Sequence, residues 1–242
     1  TARLREVIGE LEAFSYSVSH DMRAPLRAMQ GYSRFLLEEF GTKLGPEGAD
    51  FLKRISSSAI RLDRLIQDVL TYSRVIRSEL RMAPIDLDHL VRETLANYPE
   101  WNPPNAEVQV EGKLPKVMGN EAFLTQCITN LVSNAVKFVR NGEIPRVKIR
   151  SETAKERVRL CFEDNGIGIA PKDQQRIFGM FERLHGSESY EGTGIGLAIV
   201  RKAVDRMGGQ LSVESEPGKG STFCIELRPA ETTRAVEPVL KN

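Results

Sequence analysis

Two glycine clusters, a pair of asparagines and one histidine are the residues through which this 242-residue chain could do chemistry. DNGIGIAP (164–171) follows an apolar stretch of strand character, and EGTGIGLAIV (191–200) opens a helical pattern. Glycine admits positive φ and lets a backbone approach a ligand, and the free amides at a helix start favour an anion. Both clusters therefore point to phosphate, although GTGIG alone is also what a structural turn looks like. It lacks the Lys and Ser/Thr of a P-loop, and it does not sit in a parallel βαβ unit near the start of its domain, as a dinucleotide fingerprint should. Upstream, NLVSNAVKFV stacks Asn130 over Asn134 on one helical face, with Lys137 further along it. Two amides and an ammonium suit a metal triphosphate, and a solvated polar face reads the same way.

His20 falls nearly opposite the apolar stripe of its own helix, which predicts exposure. Most exposed histidines do nothing, but Asp21 adjoins this one and Pro25 follows five positions on. A proline there removes the amide that would bond the Asp21 carbonyl, loosening or bending the helix. Such a residue costs a helix interior about 3 kcal/mol, and that cost beside an exposed histidine points to local function.

These groups need elements to hold them. Leu4, Val7, Leu11, Phe14, Val18, Met22, Leu26, Met29 and Leu36 step by three or four, as do Phe51, Ile55, Ala59, Leu62, Ile66, Val69, Tyr72 and Ile76, so two long helices are predicted. GTKLGPEG between them predicts a hairpin turn. One hairpin cannot cover both stripes, and a dimeric four-helix bundle is the economical solution. The heptad-like spacing of Leu4, Leu11 and Val18, with no cap ahead of it, suggests a helix fed by an upstream part of a longer protein.

From Asp86 the character changes. A short amphipathic helix (Leu87, Leu90, Val91, Leu95) and the Pro-rich YPEWNPPN precede the period-two stretches EVQVEG, RVKIRSET, RVRLCFED, GQLSVESE and STFCIEL. Helical patterns cover 121–139 and 195–207, and PGKG predicts a hairpin between the last two strands. The expectation is an α/β sandwich with a mixed sheet and helices on one face. The resulting division is 1–83 helical hairpin, 84–228 sandwich and 229–242 tail.

Composition bounds the partners. With 40% hydrophobic and 28% charged residues the chain should fold. A net charge of +1 gives no broad attraction to nucleic acid or anionic membrane, so any polyanion must be held locally. No apolar run of about 18 residues predicts a bilayer span, and TARLREVIGELE is no signal peptide. A soluble, cytoplasmic location is expected of this stretch of chain, with the full-length protein either soluble or membrane-attached. Three cysteines (Cys127, Cys161, Cys224), an odd number among apolar neighbours, read as buried free thiols of a reducing compartment.

SVSHDMRAPLRAMQGY resembles the phosphoacceptor box of sensor histidine kinases, NLVSNAVKF their asparagine box, DNGIGI the first glycine box, IFGMFERL the phenylalanine box and GTGIGLAIV the second glycine box. The five occur in the family's order, and with the hairpin and terminal strands the resemblance covers nearly the whole chain. ERLHGSESYEGTGIGLAIV is similar to the phytochrome-related group. The resemblance implies a sandwich of the Bergerat fold, ATP and Mg²⁺ as cofactors, a homodimer, a response regulator receiver domain as phosphoryl acceptor, and a sensor domain upstream. His20 would be the phosphoacceptor, attacking the γ-phosphate through Nε2, and Asp21 would hold its other ring nitrogen or act as general base. Asn134 would coordinate Mg²⁺, assisted by Asn130 and Lys137. Asp164 would accept the exocyclic amine of adenine, helped through a water by Thr222. Gly166 and Gly168 would admit the nucleotide, and Gly192, Thr193, Gly194 and Gly196 would form the hinge and helix end at the phosphates. The segment 171–191 would be a lid, anchored by Phe178 and Phe181, with Arg183 and His185 within reach of the phosphates.

Two departures carry consequences. Where the family often has a phosphatase-linked Thr or Asn, four residues after the phosphoacceptor, stands Ala24, which cannot orient a water; phosphatase activity is expected to be weak or absent. The acid beside the histidine is Asp21 where many relatives have Glu. Two other classes share the fold's chemistry: an ATP-hydrolysing clamp and a nucleotide-binding pseudokinase. The clamp would need a water-activating Glu where Asn130 stands, and the pseudokinase a lost motif. Whether phosphoryl transfer runs within or between subunits depends on the handedness of the hairpin.

Overall fold

The computed structural model describes the backbone of residues 2–154, 156–184, 190 and 192–230, with side chains from residue 21 onward within those ranges. By contacts the chain divides into two units. One contains the hairpin through Ser78 together with Gln175–Ile199; the other is Glu79–Gln174 with the chain from Val200 on.

In the first unit, α1 (Ala2–Arg77) is a run of helical hydrogen bonding broken by one residue of non-helical backbone, Gly45 (φ 69°, ψ 176°), with Pro46 behind it. A positive φ suits glycine, and proline tolerates the first turn of the next helix, so the chain turns back where GTKLGPEG predicts. Pro25 does not break the helix. Arg23 Nε meets Asp63 Oδ1 at 3.0 Å across the two arms, 40 residues apart, and Leu26, Ala59 and Ile66 pack together with Leu70 against them. That is a thin core. Met22, Met29, Tyr32, Phe35, Leu36, Phe40, Phe51, Ile55 and Leu62 stay exposed on the hairpin, as the two-stripe argument requires of a single copy.

The second unit begins with β1 (Ala83–Asp86), α2 (Leu87–Ala96), β2 (Glu107–Val110), β3 (Lys116–Gly119) and α3 (Glu121–Lys137). It continues with β4 (Arg146–Ala154) and β5 (Arg157–Asp164), and after the α4 helix (Gly196–Arg206) ends with β6 (Gln210–Glu216) and β7 (Gly220–Leu227). Asp86 caps α2 and Asn120 caps α3, each accepting from an amide three residues on, which satisfies an otherwise orphaned donor. The main sheet runs β2-β4-β5-β7-β6, with β2 parallel to β4 and the other pairs antiparallel; β1 and β3 make a separate antiparallel pair. The sheet is therefore mixed, as predicted.

Strand alternation sorts the sheet's two faces. Val147, Ile149, Val158, Leu160, Phe162, Phe223, Ile225 and Leu227 are buried on one face, with Phe123, Leu124, Cys127, Ile128, Leu131 and Val132 of α3 in the same core. The other face carries a grid of charges: Arg159 reaches Glu152, Glu214 and Glu226, and Arg150 reaches Glu152 and Glu163. Opposite charges on neighbouring strands support the pairing modestly.

The cysteines correct one expectation. Cys161 on β5 and Cys224 on β7 are direct register partners, with Cα atoms 4.1 Å apart, and they form a disulfide. Only Cys127 is a free thiol, buried in α3, and burial pushes it up to about 12. Pairing across antiparallel neighbours 63 residues apart depends on register, which local spacing does not encode. The inference of a reducing compartment from unpaired cysteines falls with it. Among the described residues no helix is long and apolar enough to cross a membrane.

Candidate functional site

Helix α3 carries the two asparagines and the lysine. Its apolar residues from Phe123 to Ala135 face the sheet, which leaves Asn130, Asn134 and Lys137 half-exposed. Asn130 Nδ2 donates back to the Gln126 carbonyl at 2.8 Å, which fixes its amide. Lys137 Nζ lies 3.5 Å from Asn134 Oδ1 and 4.0 Å from the Phe138 ring centroid. The helix ends at Phe138, and its carbonyl accepts from Ile167 N at 2.9 Å. The end of the asparagine helix is thus hydrogen-bonded to the glycine loop after β5.

Asp164 closes β5. Its Oδ1 accepts from Gly166 N at 2.8 Å and from Ser221 N at 3.1 Å. Burial raises the carboxyl to about 6 despite those two amides, which pull it down. An acid held by two backbone donors in a half-buried position still offers Oδ2 as an acceptor, and a purine amine is the kind of donor it suits.

Two glycines have no room for a side chain. A Cβ on Gly168 (φ +72°) would sit 2.0 Å from the Glu216 carbonyl oxygen, and one on Gly220 (φ +96°) 1.9 Å from that of Asp164. The loop 165–169 is pressed against the β6–β7 turn, and Gly218 N donates to the Ile167 carbonyl at 2.7 Å. Gly166 is confined less tightly: its Cβ would meet the Phe138 oxygen at 2.6 Å.

Thr222 is not brought to Asp164. It pairs with Glu163 on β5 and Glu214 on β6, on the charged face of the sheet. The hydroxyl on the strand position opposite Asp164 is that of Ser221, which is 7% exposed. Counting strand parity back from the apolar Phe223 and Ile225 would have found it.

The second glycine cluster lies at the start of α4, in the first unit. Gly194 has φ +75°, and a Cβ there would lie 2.8 Å from the Glu182 carbonyl oxygen; Gly192 also has positive φ, and Gly196 is the first helical residue. The Thr193 hydroxyl donates to Asp68 on the second arm of the hairpin and accepts from Ile195 N at 3.4 Å. In the segment expected to be a lid, Phe181 is 55% exposed at φ 62° and Phe178 is half-buried, whereas Ile177 is buried. Arg183 donates to the Tyr190 carbonyl at 2.7 Å. His185 lies outside the described residues. Asp21 is exposed on the first arm, and His20 beside it is helical, its side chain outside the described residues.

Residues 10–77 match the family model "His Kinase A (phospho-acceptor) domain", and residues 119–231 match "Histidine kinase-, DNA gyrase B-, and HSP90-like ATPase". The chain is 35% identical over 219 residues to the phytochrome-like protein Cph1 of Synechocystis sp., covering 90% of this chain and 29% of that protein. It is 35% identical over 236 residues to the signal transduction histidine-protein kinase BarA of Escherichia coli, covering 93% and 25%. The chain thus spans less than a third of the length of these relatives. Among solved structures, full-length ShkA in complex with AMPPNP superposes with a TM-score of 0.66 at 31% identity, covering 90% of this chain and 46% of that one. The mycobacterial sensor histidine kinase MprB gives a TM-score of 0.52 at 26% identity, covering 62% of this chain and all of that one.

Proposed function

Since the chain belongs to the sensor histidine kinases as their catalytic core, we propose that it binds ATP and transfers the γ-phosphoryl group to His20. An aspartate of a response regulator receiver domain would then take the phosphoryl group. The observation that carries the reading is Asp164: a half-buried carboxylate, fixed by Gly166 and Ser221 amides, beside a glycine loop with no space for side chains. Binding of AMPPNP by the structural neighbour ShkA supports the same nucleotide class.

In this reading Asp164 accepts the adenine amine, with Ser221 rather than Thr222 as the hydroxyl nearby. Asn130, Asn134 and Lys137 face the phosphates, and Gly192, Thr193, Gly194 and Gly196 join them on their motif alone. The donor set fits Mg²⁺: an amide oxygen is a hard ligand, and Mg²⁺ takes few protein ligands when phosphates and water supply the rest. Asn134 would hold the ion, which supplies charge neutralisation at the phosphates. Among the described residues no cluster of three His, Cys, Asp or Glu offers a separate metal cage.

The transfer balances simply. His20 Nε2 forms the N–P bond, the bond from the γ-phosphorus to the bridging oxygen breaks and leaves ADP, and the imidazole proton on Nδ1 passes to Asp21. A clamp-type ATPase is disfavoured because the amide of Asn130 cannot take a proton from water. The exposed apolar residues of the hairpin support a second copy as the partner that covers them.

Incubation with γ-labelled ATP tests the reading. Label on the wild type and none on His20→Gln, with ATP binding retained, is the expected result; label retained on His20→Gln would overturn the assignment.

A further inference from the structure

Ser215 sits in β6, two strands from Asp164, and the catalytic reading leaves it without a role. Its Oγ accepts from Ile169 N at 2.8 Å, donates to the Gly220 carbonyl at 2.9 Å, and shares a hydrogen bond of 2.9 Å with Ser221 Oγ. A hydroxyl has one proton and two lone pairs. With that proton on Gly220 and one lone pair taken by Ile169, the bond to Ser221 can form only with Ser221 as donor. The proton of Ser221 is thereby turned toward Ser215, and its lone pairs are left for whatever approaches beside Asp164.

Gln174 completes the arrangement. Its Nε2 donates to the Ser215 carbonyl at 2.9 Å and to the Ile169 carbonyl at 3.3 Å, so one amide bridges the strand and the glycine loop. Together with the bond from Gly218 N to the Ile167 carbonyl, these side chains strap the loop bearing Gly166 to the β6–β7 turn. Gly166 N and Ser221 N are the two donors that fix the Asp164 carboxylate. Ser215 and Gln174 therefore act on both amides and on the Ser221 hydroxyl without touching a ligand themselves.

We propose that Ser215, backed by Gln174, is a positioning residue that sets recognition of the exocyclic amine of a purine nucleotide by fixing the Ser221 proton and the glycine loop. The proposal rests on the reading of this site as nucleotide-binding. It predicts a loss confined to the amine: phosphate and ribose contacts lie elsewhere and should survive.

The test compares Kd for ATP with Kd for purine riboside triphosphate, which is ATP without its exocyclic amine, by calorimetry on the full chain. Wild type should prefer ATP. Ser215→Ala and Gln174→Ala should narrow that preference roughly tenfold, a change of about 1.4 kcal/mol and in keeping with the loss of one hydrogen bond, while binding of purine riboside triphosphate and the first-order rate of His20 phosphorylation at saturating ATP stay within about twofold. Ser215→Thr keeps the hydroxyl and should restore the preference, whereas Gln174→Glu, which sets a carboxylate against two carbonyls, should not. Should Ser215→Ala fail to fold, the Gln174 pair decides. An unchanged preference, or equal weakening toward both nucleotides, would overturn the proposal. Absence of any ATP binding by the wild type would instead remove the reading beneath it.

Discussion

Asp164 should make the ligand-free chain less stable than it could be. Its carboxyl titrates at about 6 in the fold, against 3.8 for the free group, chiefly because burial opposes the charge. A carboxylate whose folded pKa is raised favours folding when protonated. The cost of ionising it is absent below about pH 3.8, grows as pH rises, and is complete above about pH 6. The difference of roughly two pKa units corresponds to about 3 kcal/mol. Asp164→Asn keeps a carbonyl oxygen for the Gly166 and Ser221 amides and removes the charge. At pH 7.5 the variant should be more stable by about 2–3 kcal/mol, a rise in Tm of roughly 5–10 °C for a domain of this size, while losing ATP affinity by roughly thirtyfold or more, because a donor now meets the purine amine. Urea unfolding read by fluorescence of Trp101 suits the measurement, since it is the chain's only tryptophan and is buried in the same unit. Repeated at pH 4, the gain should shrink to below about 1 kcal/mol. A variant less stable than wild type at pH 7.5, or a gain independent of pH, would show that the buried charge of Asp164 does not cost the fold stability.

Gly168→Ala should abolish ATP binding and destabilise the sheet unit by at least about 2 kcal/mol, since both its φ of +72° and the Glu216 oxygen 2.0 Å from the new Cβ oppose a side chain; a melt and a titration measure both, and wild-type affinity would contradict the crowding argument. Reduction of Cys161–Cys224, which closes a separation of 63 residues, should lower stability by about 2–4 kcal/mol, seen as a shifted urea midpoint in the presence of dithiothreitol; an unshifted midpoint would show that the bond is not formed in solution. Because Ala24 cannot orient a water, a phosphorylated receiver domain should decay at its own rate when the chain is added; rapid dephosphorylation followed by phosphate release would count against this.

Local periodicity made most of the fold legible. The three- and four-residue steps of Leu26, Met29, Ile55 and Ala59 mark both arms of α1, and Gly45 with Pro46 marks the turn between them. Period-two alternation located β2, β4, β5, β6 and β7 to within two residues or fewer at the ends. APID of β1 and KVMG of β3, with a proline in one and a glycine ending the other, lack the polar–apolar alternation that EVQV shows at the same length, and the two strands pair with each other across α2 and β2. Register was the other blind spot. The Cys161–Cys224 bond and the meeting of Asp164 with Ser221 instead of Thr222 both follow from which residue of β7 opposes which residue of β5, a relation set by packing of the whole sheet. In the candidate site, residue types showed where a nucleotide would go, but the straps that hold the loop, Ser215 and Gln174, are ordinary polar residues whose role exists only once β6 and the loop are brought together. Phe181, expected to anchor the lid, is 55% exposed, since aromatic character alone does not say which face is covered.

The most direct test of the central claim is intact-mass and fragmentation analysis of the chain after incubation with Mg²⁺ and ATP. One added phosphoryl group per chain is expected, located on His20, lost in acid and retained in base, as a phosphoramidate should be. A phosphoryl group on any other residue, or steady release of inorganic phosphate with no adduct on His20, would contradict it.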